Sequence, residues 1–172
     1  RGPHEGRIIC VMRTGRDLYT AYSDNDGQDW SDFKSLALPG IDVFRSREWK
    51  AQFEGKYNHI DPHRRSLAGA IADPGLTQMK NGALVLSFGV RLPAQLNWQD
   101  PTVPGNGVYA AFSLDGGDTW SHVIQLMGGQ LTTHYTAVRE YGENKLLFAY
   151  DVGSWREGGR GGRVCNIDVE LQ

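Results

Sequence analysis

Short apolar runs, each closed by a cluster of turn-forming residues, recur along this chain, the pattern of many strands joined by tight turns. Arg7–Met12 (R-I-I-C-V-M) is a β-branched run ending at Thr14-Gly15, and Leu18–Ser23 (L-Y-T-A-Y-S) follows it, so the pair predicts a hairpin. Phe33–Leu38 predicts a third strand, stopped by Pro39-Gly40. Asp73–Met79 and Ala83–Gly89 flank Lys80-Asn81-Gly82, and Asn-Gly between two apolar runs is the strongest short hairpin signal. Gly107–Ser113 and Ser121–Leu126 predict a further pair. His134–Glu140 and Lys145–Asp151, joined at Gly142-Glu143-Asn144, predict another, and the alternation of Arg163–Leu171 predicts a last strand. The expected class is all-β.

Two segments interrupt this rhythm. From Ile41 to Ala72 the chain is charged and aromatic-dotted without clear period, and loops of that length in compact domains are usually functional or disordered. Val90–Asn106 carries Arg91, Trp98 and three prolines. His59, Asp61 and His63 have a spacing that could hold a metal, yet no further ligand is evident, so no metal and no cofactor are expected.

Composition narrows the partners. The 172 residues are 40% hydrophobic and 22% charged with a formal net charge of −2, enough for a real core and without the basic excess of a nucleic-acid binder. No stretch approaches the ~20 apolar residues of a membrane span. The chain begins at Arg1 rather than with a signal segment, so it is expected to be a piece of something longer. Cys10 and Cys165 lie in apolar strand-like contexts and are expected as small buried residues.

The most specific stretch is Phe112–Trp120, F-S-L-D-G-G-D-T-W. Ser113 and Asp115 can both accept from backbone N–H groups inside the turn, Gly117 can take positive φ, and Trp120 closes the turn with apolar surface. A degenerate copy lies upstream, where Ser23, Gly27 and Trp30 keep their places but Asn25 replaces the aspartate and Asp29 the threonine. The repeated S-x-D-x-G-x-T-W pattern resembles the Asp-box, or BNR repeat, of the sialidase (neuraminidase) superfamily, whose members are β-propellers. The two copies are about twice the ~40–45 residues of a typical blade apart. With the long loops counted, the resemblance implies a partial propeller of about two and a half four-stranded antiparallel blades out of six. Residues 1–40 would be a partial blade, 41–72 an inserted loop, 73–127 a complete blade and 128–172 the last one. Exposed blade edges would favour self-association.

The resemblance also implies chemistry. Sialidases hold a sugar carboxylate with three arginines, because a guanidinium fork matches a carboxylate in two parallel charge-assisted hydrogen bonds. Arg13, in V-M-R-T-G, matches the middle arginine, and its plainer alternative is a surface arginine at a strand end. Tyr135, in T-H-Y-T, matches the tyrosine nucleophile, and its alternative is a half-buried strand tyrosine. Asp151 sits where the family has an acid that fixes the first arginine. The last arginine is expected where this chain has Gly105-Asn106-Gly107, with Arg91 the nearby substitute and Trp98 a further contact for substrate. The first arginine, the acid aspartate and the glutamate partner of the tyrosine would lie upstream of Arg1, so this chain alone is expected to be inactive. Glu48 or Glu54 could stand in for one of them. The implied function is the C-terminal part of a sialidase-like glycoside hydrolase acting on a terminal acidic sugar, secreted or periplasmic. Two other readings stay open, a propeller that binds carbohydrate or protein without catalysis, and a propeller glycosidase or lyase for another acidic sugar.

Overall fold

The computed structural model describes residues 4–14, 17–42, 46–53, 55–56, 59, 69–92, 100–154 and 158–170. Trp98, Glu54, Asp61 and His63 lie outside the described residues. Among the described residues ten strands and one short helix follow in order. They are β1 (Ile8–Thr14), β2 (Asp17–Ser23), β3 (Lys34–Ser35), α1 (Arg47–Ala51), β4 (Ala70–Gln78), β5 (Leu84–Arg91), β6 (Gly107–Ser113), β7 (Ser121–Gly128), β8 (Thr136–Gly142), β9 (Lys145–Ser154) and β10 (Gly158–Asp168). They form three antiparallel meanders, β1-β2-β3, β4-β5-β6-β7 and β8-β9-β10. These are successive blades of a partial β-propeller.

The middle sheet shows why the blades stack. Along β5 every residue from Leu84 to Val90 is buried, and along β6 every residue is. A strand buried on both faces reads as a continuous apolar run, because it needs neighbours on either side. One face joins Leu84, Leu86, Phe88 and Val90 to Leu18, Leu36 and Leu38 of the first sheet and its exit. The other joins Val85, Val108 and Ala110 to Leu146 and Phe148 of the third. By contrast β8 alternates between half-buried and exposed positions, as a strand with one covered face does. Phe88 and Phe148 are both fully buried, each worth about 2–3 kcal/mol of hydrophobic transfer.

Two expectations from the sequence shift. Strand β4 begins at Ala70, inside the segment read as an insert, because Ala70, Ile71 and Ala72 are all buried while Asp73-Pro74-Gly75 looks like a turn and proves to be a bulge within the strand. The third strand shrinks to Lys34–Ser35, which stand opposite Thr20 and Tyr19 of β2. Cys10 and Cys165 are half-buried free thiols on β1 and β10.

At one end of the stack lie the two repeated turns, each following an inner strand. In the β6–β7 turn Ser113 Oγ accepts from the Gly117 N–H at 2.8 Å and donates to Asp115 Oδ1 at 2.7 Å. Asp115 Oδ1 also accepts from the Thr119 N–H at 2.9 Å, and the Thr119 hydroxyl bonds Oδ2. Gly117 has φ +96°, which a β-carbon would strain. In the β2–β3 turn Ser23 Oγ accepts from Gly27 N–H at 2.9 Å, and Asn25 Oδ1 accepts from Asp29 N–H at 2.9 Å. Here the Asn25 amide donates to the Asp29 carboxylate at 2.9 Å, so the Asp–Thr pair of the downstream turn is replaced with its polarity reversed. Trp120 is buried, whereas Trp30 is 47% exposed and donates from Nε1 to the Gly27 carbonyl. Arg7 clips the two turns together, bonding Asp24 through Nε at 2.8 Å and Asp118 through Nη1 at 3.2 Å.

Candidate functional site

Antiparallel pairing sends the ends of β1 and β5, the start of β4 and β8, and the end of β9 to the side of the stack opposite those turns. Four of the side chains singled out in the sequence meet there. Arg13 is the penultimate residue of β1 and Arg91 the last of β5. Tyr135 immediately precedes β8, and Asp151 lies on β9 opposite Gly162.

A residue that the sequence reading did not select stands between the two arginines. Asp73 accepts from Arg13 Nη1 at 3.4 Å through one oxygen and from Arg91 Nη2 at 3.2 Å through the other. It sits at the bulge of β4, between Ala72 and Gly75, with φ +52°. The signal available in the sequence was an aspartate directly before Pro-Gly at the head of an apolar run. Pro74 and Gly75 there mark a backbone irregularity inside a strand rather than its beginning. Arg91 Nη2 also donates to the Thr133 carbonyl at 3.0 Å, and Arg91 Nε has no partner among the described residues. Burial pushes the Arg91 guanidinium below the ordinary arginine range. Asp73 opposes that shift, the Arg13 charge adds to it, and Tyr135 and Asp151 oppose it more weakly.

Asp151 organises the corner from which Tyr135 projects. Its carboxylate accepts from the Thr132 hydroxyl at 3.2 Å, the Thr133 N–H at 2.9 Å and the Tyr135 N–H at 3.2 Å. The residue is 8% exposed and Tyr135 57% exposed. Between Thr133 and Tyr135 the chain turns through His134, whose φ is +68° and whose side chain is fully buried. Its Nε2 lies 3.1 Å from Asn106 Oδ1. The Asn106 amide is oriented by donating to the Pro101 carbonyl at 3.1 Å and accepting from the Leu92 N–H at 3.3 Å, so Oδ1 is an acceptor and Nε2 carries the hydrogen. Thus Asn106, which stands where the resemblance called for an arginine, is a buried brace tying Leu92 and Pro101 to the Tyr135 corner. Among the described residues no group of three or more His, Cys, Asp or Glu is arranged to hold a metal ion. No helix among them is long and apolar enough to cross a membrane.

Solved structures share this architecture. A protein of unknown function from Dyadobacter fermentans superposes with a TM-score of 0.55 at 16% identity, over 95% of this chain and 35% of that one. A mutant of the NanB sialidase of Streptococcus pneumoniae superposes with a TM-score of 0.50 at 17% identity, over 93% of this chain and 19% of the sialidase. The fold is sialidase-like. This chain spans about a third of the first protein and a fifth of the second. No protein-family model and no curated protein sequence matches it.

Proposed function

We propose that this chain carries part of the substrate site of a sialidase-like glycoside hydrolase acting on a terminal acidic sugar. The observation that carries the reading is the convergence of Arg13 and Arg91, from two different blades, on a single carboxylate. Asp73 engages Arg13 through Nη1 and Arg91 through Nη2. Each guanidinium has five N–H donors, so others remain for a sugar carboxylate. Exposed Tyr135 at the same end supports the role of nucleophile. A neutral phenol can approach an anomeric carbon that bears a carboxylate, where an anionic side chain would be repelled. In that step the phenolic proton would pass to the glutamate partner, and the leaving oxygen would take a proton from the acid aspartate, both of which the resemblance implies elsewhere in the whole protein. The phenolic oxygen bonds the anomeric carbon as the bond to the leaving oxygen breaks, and water later releases the sugar and restores the phenol. Arg13 and Arg91 would neutralise the substrate carboxylate, Asp151 would hold the Tyr135 corner in place, and Trp98 would contact the sugar.

A second reading, an acidic-sugar binder without hydrolysis, is favoured by Asn106. It is buried and bonded on both sides of its amide where a third arginine is expected. Turnover of an aryl sialoside by the whole protein separates the two. In the hydrolase reading Tyr135→Phe abolishes turnover and leaves affinity for N-acetylneuraminic acid nearly unchanged, while Arg13→Ala weakens that affinity by about 1.5–3 kcal/mol. Affinity without any turnover in the wild type selects the binder, and full turnover by Tyr135→Phe removes Tyr135 from the chemistry.

A further inference from the structure

We infer that Asp73 is a positioning residue that sets Arg13, Arg91 and the Tyr135 corner as one unit. The inference rests on the acidic-sugar reading of the two arginines. Three features of Asp73 point the same way. Its two carboxylate oxygens go to different arginines, one on β1 of the first blade and one on β5 of the second. Its backbone carbonyl lies 3.2 Å from the hydroxyl of Thr136, the residue after Tyr135, and that hydroxyl is also 3.0 Å from Ser87 Oγ of the second blade. Its φ of +52° lies in the left-handed region directly before Pro74, a conformation that costs free energy and persists only where the surroundings over-determine it. One residue therefore touches all three blades at the end where the candidate site lies.

Charge alone would give Asp73 the opposite effect. A carboxylate beside two guanidiniums reduces the field that draws in an anionic sugar, so on Coulomb's law its removal should strengthen binding. Positioning wins here because of what each arginine lacks without it. Arg13 has a side chain 37% exposed, and Asp73 is its only side-chain partner among the described residues. Released, it regains the rotamer freedom that binding would have to remove again. Arg91 is less exposed, at 19%, and has Asp73 as its counter-charge against both burial and the Arg13 charge.

Asp73→Asn is the informative substitution, since asparagine is another residue that accepts left-handed backbone, and its amide turns a donor toward guanidiniums that can only donate. Asp73→Gly removes the carboxylate while relieving the strained φ, so it reads the same loss without a change in backbone strain as its cause. Calorimetric titration of the whole protein with N-acetylneuraminic acid and with its uncharged methyl ester tests the idea. The wild type should prefer the acid. Both variants should weaken acid binding about tenfold or more, as expected for losing a charge-assisted hydrogen bond, and leave ester binding unchanged. Combined with Arg13→Ala and Arg91→Ala together, Asp73→Asn should add almost nothing, because it acts through those two arginines. Acid binding by Asp73→Asn as tight as in the wild type or tighter would overturn the inference. So would equal losses for acid and ester, the mark of a merely structural role. A wild type that binds acid and ester equally would overturn the clamp itself, a failure visible before any substitution is made.

Discussion

Burial, reinforced by the nearby Arg91 charge and opposed by Asp151, pushes the His134 imidazole down to about 3. In the fold it stays neutral where the same histidine in an unfolded chain, near 6.5, takes up a proton. The unfolded state therefore binds more protons between those values, so the stability due to this group is complete above about 6.5 and is lost as pH falls toward 3. Asparagine tolerates the φ of +68° at this position. His134→Asn should accordingly lower the melting temperature at neutral pH and flatten its decline across the window below pH 6.5. An unchanged slope would mean that some other group supplies the pH dependence. None of this was legible in T-H-Y-T, where a histidine in a strand pattern carries no sign of left-handed backbone or of total burial. Tyr135 and Asp151 could be singled out because a resemblance supplied their places. Asp73 could not, since its importance comes from two arginines distant in the chain.

Strands carry the next level. The repeated turns were readable because their acceptors, glycine and aromatic lie within eight residues, and local chemistry of that kind needs no tertiary partner. The start of β4 was not, because Ala70-Ile71-Ala72 becomes a strand only by pairing with Gly89–Arg91, at the open end of a hairpin broken by a bulge. The corner before β8 packs against that end by close approach. A β-carbon at Gly89 would lie 2.3 Å from His134 Cβ and 2.8 Å from the His134 carbonyl oxygen, so β5 can pass the corner before β8 only as glycine. Gly89→Ala should destabilise by about 3 kcal/mol or more, with the second and third sheets forced apart at the site end. Denaturant unfolding measures this, and a cost below ~1 kcal/mol would show that the two blades are not packed this closely.

For the whole molecule, the flanks differ from the middle. On the third sheet Leu147, Tyr141 and Val164 are exposed, at 39%, 55% and 63%, while Leu146 and Phe148 on the opposite face are buried. A face of that kind on the 172-residue chain by itself should drive concentration-dependent association, and Val164→Lys should reduce it. Sedimentation velocity reads both outcomes, and a monomer over a wide concentration range would contradict the expectation. At this scale the sequence disclosed the class and the succession of sheets, since both follow from short runs and turns. It could not disclose how three blades bring Arg13, Arg91 and Tyr135 to one end, which is a matter of packing between segments far apart in sequence. As proposed above, this end acts on an acidic sugar through Tyr135. Mass spectrometry of the whole protein, quenched while turning over a slow fluorinated sialosyl donor, tests it most directly. The expected result is a single glycosyl adduct on the peptide containing Tyr135, lost in Tyr135→Phe, whereas turnover with an adduct elsewhere or with none would contradict that role.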